Sequence, residues 1–205
     1  MGIEVWLAYL ATAIVFSLAP GSGTVNSISN GMMYGWRKSL ASILGLQVGM
    51  GFHIVLVGVG LGTIVAKSAL AFTVIKWVGV VYLVWLGIQK WREKAALDLA
   101  SMSSSVTASQ LFRRAVVVNL TNPKTIVFLV ALFPQFINPA EPQGMQLAVL
   151  GITTIAVDAT VMLCYVTLAS RLSGYIRSAK IMSGLNRLFG SMFIGCGALL
   201  ASARA

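Results

Sequence analysis

Acid is scarce in this chain. Of 205 residues, five are Asp or Glu, one is His and two are Cys. Metal centres are usually built from clustered carboxylates, imidazoles and thiolates, and this inventory is too thin to suggest one. Cys164 and Cys196 lie inside apolar runs and read as small buried hydrophobes, not as a disulfide. There is no phosphate-binding Gly-rich loop followed by Lys-Ser/Thr, no paired histidine ligands and no Ser, His and Asp order suited to hydrolysis. An ATP-driven pump within this chain is therefore excluded, and neither an enzyme nor a cofactor is expected.

Charge of any sign is also sparse. Charged residues are 10% of the chain and hydrophobic ones 58%, with a mean hydropathy of +0.87. That balance belongs to an all-α polytopic membrane protein, with the lipid bilayer as its surroundings. The length accommodates about six spans and no soluble domain, so 1–205 is expected to be one membrane domain. A net charge of +10 would suggest nucleic acid in a soluble protein. Here the bases sit in short loops between apolar runs, where the positive-inside rule explains them and nucleic acid is not implied. Glu4 is the only charge near the N-terminus, so a cleaved leader is not expected.

Apolar runs mark spans at about 5–35, 39–66, 72–89, 115–137, 144–170 and 186–203. A Ser-rich stretch within 92–114 reads as a flexible linker between a first set of three spans (1–100) and a second (111–205). Eleven Lys and Arg fall on one side of these spans and three on the other. The richer side marks the cytoplasm, which puts the linker inside and both termini in the periplasm. Three is odd, so the second set is inverted relative to the first.

Each set opens with an interrupted span. No charged residue occurs from Val5 to Trp36. As one straight helix that run would reach about 48 Å, whereas the hydrocarbon core is about 30 Å thick. Pro20, Gly21 and Gly23 fall in its middle and break it, with Ser22, Thr24 and Asn26 beside them. The counterpart is Leu120-Thr-Asn-Pro-Lys-Thr-Ile-Val127, 102 residues on from Leu18. Paired interruptions in corresponding spans point to a transporter site near the midplane. Asn122 is a good N-cap and Pro123 a favoured first helical residue, so a half-helix is expected to start there. Its free N–H groups suit a carboxylate. Asn119 lies one turn earlier. Pro20, Gly21, Ser22, Gly23, Asn26, Asn119, Asn122, Pro123 and Lys124 are therefore the candidate substrate-binding residues.

Lys124 and Asp158 are charges at membrane depth, where such residues face a cavity or a partner. Asp158 could carry a coupling proton, pair statically with Lys124 or bind a substrate amine. His53 ends a stripe of small residues, Ala41, Gly45 and Gly49, spaced every four positions. It could pack through a hydrogen bond or relay protons. Asp158 and His53 are the proton-coupling candidates. Tyr165, Trp36 and Trp91 read as interfacial anchors.

These motifs resemble the RhtB/LysE family of amino-acid exporters over nearly the whole chain. The resemblance rests on Pro20-Gly21, on Gly45 and Gly49, and on Asn122-Pro123-Lys124 followed by Leu132-Phe-Pro-Gln-Phe136. Leu56-Val-Gly-Val-Gly-Leu-Gly-Thr63, Val118-Asn-Leu-Thr-Asn-Pro-Lys124 and Leu199-Leu-Ala-Ser-Ala-Arg204 resemble the branch that exports homoserine and its lactone. Many members carry a second proline where this chain has Ser22, and an acid where it has Met50. Asp158 is thus the sole acid inside a span. The resemblance implies a proton-driven secondary carrier in a bacterial inner membrane that exports homoserine, its lactone or threonine. Other amino acids on the same scaffold are an alternative substrate set. An intramembrane enzyme or assembly factor is the rival from another class. A homo-oligomer is compatible with all of these.

Overall fold

A computed structural model of the chain describes residues 1–19, 21–64, 69–92 and 106–172, with separate helical positions between 183 and 201. Pro20, most of the linker, most of the expected sixth span and Cys196 lie outside the described residues. Among those described, every regular element is helical.

Helix α1 (Ile3–Leu18) carries Glu4 in its first turn, where the helix dipole favours an acid. It stops at Ala19, whose backbone is extended (φ −66°, ψ 129°), as the residue before a proline is driven to be. Helix α2 (Ser22–Ile64) has 43 residues, interrupted at Gly35 with φ 74° and ψ 169°. Only glycine adopts that conformation readily, and the chain turns there into two limbs, 22–34 and 36–64. The limbs are tied by Asn26 and Asn30, whose amides donate to Ser42 Oγ at 2.7 and 2.9 Å.

Helix α3 (Ala69–Arg92) follows. Helix α4 (Ala108–Leu120) starts well before the apolar run that marked the fourth span. Its start is set by a capping box between Thr107 and Gln110, a local signal independent of hydropathy. Helix α5 (Pro123–Leu132) begins after the break, with the Asn122 side chain accepting from Lys124 N at 3.2 Å. A 3₁₀ turn (Phe133–Phe136) ends it, and helix α6 (Gln143–Arg171) follows. The α4 and α5 axes are bent by 51°. The α2 run and α6 are each long and apolar enough to cross a membrane, and the bent α4–α5 pair is a third candidate span.

Side-chain contacts fix the helix directions. Trp6 donates to Thr153 and Tyr9 hydrogen-bonds Thr154, while Tyr165 reaches Leu18, so α1 and α6 run parallel. Gln47 meets Asp158 and Ile54 meets Gly151, so the second limb of α2 is antiparallel to α6. That limb lies parallel to α4. A Cβ at Gly45 would sit 2.3 Å from Phe112 O, and one at Gly49 would sit 2.8 Å from Asn119 Cβ. The expected small-residue stripe is thus a backbone-to-backbone seam. Phe16 stacks on Phe128 with ring centroids 3.7 Å apart and Tyr9 packs on Phe133 and Phe136, so α5 is antiparallel to α1.

Polarity runs inside out. Val59, Ile152 and Met145 are 73%, 69% and 72% exposed, while Asn30, Asn119, Lys124, Thr125 and Asp158 are buried. A bilayer explains both halves of this pattern, since it solvates apolar side chains and polar ones must find partners inside. Cys164 is exposed, contrary to the expectation that it is buried. Facing lipid is no less apolar a fate for a small hydrophobe.

Candidate functional site

The two chain breaks meet. A Cβ at Gly21 would lie 3.1 Å from Lys124 Cδ and 3.7 Å from Asn122 Oδ1. The C-terminal end of α1, the N-terminal end of α2 and the N-terminal end of α5 therefore share one spot. The last carbonyls of a helix have no partner within it and carry the negative end of its dipole. At α1 they are taken by side chains from the other half of the chain. Lys124 Nζ donates to Phe16 O at 2.8 Å and to Ala19 O at 2.5 Å, and stands 4.3 Å above the Phe16 ring. Tyr165 Oη donates to Leu18 O at 2.7 Å.

The α4 end is held in the reverse sense. His53, from the second limb of α2, places Nε2 3.3 Å from Asn119 O. A carbonyl only accepts, so Nε2 carries the proton in that contact. Asn119 O also receives Asn122 N at 2.9 Å. Each broken span is thus closed by residues of the other half.

Asp158, on α6, is buried and accepts from Gln47 Nε2 at 2.8 Å. The charge of Lys124 acts on it through space, and the Ser17 side chain lies beside it. The Ser17 hydroxyl nonetheless completes no hydrogen bond of good geometry. Among the described residues, Thr24 Oγ1, Gln47 Oε1, Asn119 Oδ1 and Thr125 Oγ1 are likewise buried without a partner. Buried polar atoms are nearly always paired, and an orphan needs explaining. Gln135 Nε2, on the 3₁₀ turn, is a further one away from the breaks. The others lie on residues around the two breaks or, at Gln47, against Asp158, which is the character of a site that receives a polar guest.

Gly21, Asn119, Asn122, Lys124, Asp158 and His53 are brought to this region. Gly23 is buried against Leu46. Ser22 is exposed. Asn26 is occupied with Ser42 and Asn30, holding the limbs of α2 together. Pro123 opens α5, and Pro20 lies outside the described residues. Tyr165, expected as an interfacial anchor, donates its hydroxyl to Leu18 O at the break. Ser17, Gln47 and Thr125 are not among the residues singled out from sequence, and Thr24, noted beside the first break, is not among the binding candidates.

The sequence relationships agree with this architecture. Residues 14–204 match the LysE type translocator family. The chain is 63% identical to an uncharacterized membrane protein of Vibrio cholerae, with 100% of each covered. It is 54% identical to the homoserine/homoserine lactone efflux protein of Salmonella typhimurium, covering 100% of this chain and 99% of that one. It is 29% identical to the leucine efflux protein of Klebsiella pneumoniae, over 98% and 96% of the two chains. No solved structure matches. Two broken helices meeting at Lys124, in a chain matched nearly end to end, place this protein in the LysE type translocator family.

Proposed function

We propose that this protein is a secondary carrier exporting homoserine and homoserine lactone from the bacterial cytoplasm, with threonine a further candidate, driven by protons. The observation that carries this is the meeting of the two breaks at Lys124, with polar atoms of Ser17, Thr24, Asn119 and Thr125 at the break ends buried and unpaired among the described residues and Asp158 within reach of the Lys124 charge. An amino acid brings a carboxylate, an ammonium and a small polar side chain. The expected free N–H groups at the start of α5 are not free, since Pro123 has none and those of Lys124 and Thr125 go to Asn122. The charge of Lys124 and the positive dipole end of α5 suit the first, Asp158 the second, and the neutral hydroxyls and amides the third. A relative at 54% identity bearing the homoserine name supports the substrate class.

The proposed architecture is six spans in two inverted sets, 1–100 and 111–205, with a cytoplasmic linker at 92–114 and both termini in the periplasm. Support comes from helix direction. Helix α1 is parallel to α6, α6 is antiparallel to the second limb of α2, and that limb is parallel to α4. The opening half-helices of the two sets therefore point oppositely, as inversion requires. Alternating access would rock one set against the other about the shared break.

Counterflow of radiolabelled homoserine in proteoliposomes, without ATP and across a panel of amino acids, tests the assignment. Saturable exchange is expected for homoserine, and its absence for every amino acid would reject a carrier. Asp158→Asn is expected to lose pH-driven uphill export while retaining exchange. Uphill export surviving in that variant would remove Asp158 from coupling. A reporter that fluoresces only in the cytoplasm, fused after Ala205, should stay dark; a bright signal would overturn the topology.

A further inference from the structure

We propose that the carbonyl end of α1 is a binding site for a primary ammonium, and that Lys124 is its built-in occupant. The ammonium has the surroundings of a bound ligand. Two backbone carbonyls, Phe16 O and Ala19 O, accept from it at 2.8 and 2.5 Å. The face of Phe16 closes a third side, with Nζ 4.3 Å from the ring centroid. Carbonyls at a helix C-terminus present negative charge, and an aromatic face adds to it. The Lys124 stem reaches this seat past Gly21, where a Cβ would approach Cδ to 3.1 Å. Glycine at this point leaves the passage open.

Broken helices in carriers commonly offer such carbonyls to a diffusible cation. Here the cation is tethered from the opposite half of the chain. It cannot be lost to solution, so occupancy of this seat does not depend on ion concentration. The chemistry is that of a primary ammonium, which has donors to divide between the carbonyls while its charge faces the ring.

The tether can be cut and the guest supplied. Lys124→Ala removes Cγ, Cδ, Cε and Nζ, which together have the composition of propylammonium. The purified variant is titrated with propylammonium, ethylammonium, tetramethylammonium and sodium at constant ionic strength, and its melting temperature is followed. Propylammonium is expected to raise it saturably, by about 3–6 °C, and ethylammonium by less. Tetramethylammonium, which has no N–H donor, is expected to do nothing. Wild type and Lys124→Met, whose side chain fills the passage without a charge, are expected not to respond. If Lys124→Ala does not survive extraction, the yield of monodisperse protein extracted with and without propylammonium is the readout, and a gain is expected only with it. No effect of propylammonium in either readout overturns the proposal. So does an equal shift in Lys124→Met, or a shift with sodium as large as with propylammonium. Transport is not measured, so the result stands apart from the exporter assignment.

Discussion

Two glycines of α2 should respond oppositely to the same methyl group. At Gly45 a Cβ would meet Phe112 O at 2.3 Å and Ala115 Cβ at 3.0 Å. Restoring an ordinary contact requires the second limb of α2 and α4 to separate by about 1 Å, which loosens every side chain along the seam. Overpacking costs about 1–3 kcal/mol, and an obstruction that is backbone, not a rotatable side chain, places Gly45→Ala near about 3 kcal/mol. At this chain length each kcal/mol moves the midpoint by about 2–4 °C, so a fall of about 6–12 °C is expected. At Gly58 the new Cβ would lie 3.5 Å from Leu147 Cδ1, an ordinary contact. Alanine there also relieves a helical glycine, and Gly58→Ala should gain about 0.5–1 kcal/mol, or about 1–4 °C. Both are read by heating detergent-solubilised protein and measuring the monodisperse fraction. The seam also sets His53 against Asn119 O, so Gly45→Ala should slow export as well. A Gly45→Ala midpoint within about 2 °C of wild type would refute the seam.

Three further outcomes can be checked. Tyr165→Phe keeps the ring and loses the bond to Leu18 O, and should lower stability by about 0.5–1.5 kcal/mol in the same melt. Asn122→Ala removes the cap on α5 and should cost about 0.5–2 kcal/mol, with export falling further than stability because the cap also shapes the break. The N-terminal ammonium pairs with Glu141 Oε2 at 2.8 Å. Its hydrogen bond and positive charge hold the Glu141 carboxyl below its ordinary value. A lowered carboxyl stabilises the fold above its ordinary value and ceases to as pH falls through the lowered one. Wild type should therefore melt slightly above Glu141→Gln at neutral pH and converge with it in acid, a gap that salt should shrink.

What could be read from the sequence was what the backbone dictates locally. Pro20 with its glycines and Asn122-Pro123 act on their own helix whatever lies beside them, and helix ends are found at both places. The glycine seam was readable for the same reason, since a missing side chain has one spatial use. Partners across the fold were not readable. Lys124 sits at a seat whose carbonyls belong to residues 105 and 108 positions away, and carbonyls leave no mark in sequence. A search for charges finds Asp158 and passes over them. Asn26 looked equivalent to Asn122 because both flank a break. The turn at Gly35 brings Ser42 to Asn26, and only the fold shows that its amide is used there.

The crosswise closure of the two breaks has a consequence for biosynthesis. When the ribosome has delivered α1, the carbonyls at its end are already at membrane depth with nothing to receive them. Lys124 arrives more than a hundred residues later and Tyr165 later still, while the α4 end finds His53 already made. The first half of the chain must therefore wait, unfinished, in whatever wet or protein-lined shelter the insertion machinery provides, and the second half completes both. A separately made N-terminal half should be short-lived in the cell, and a separately made C-terminal half should rescue it.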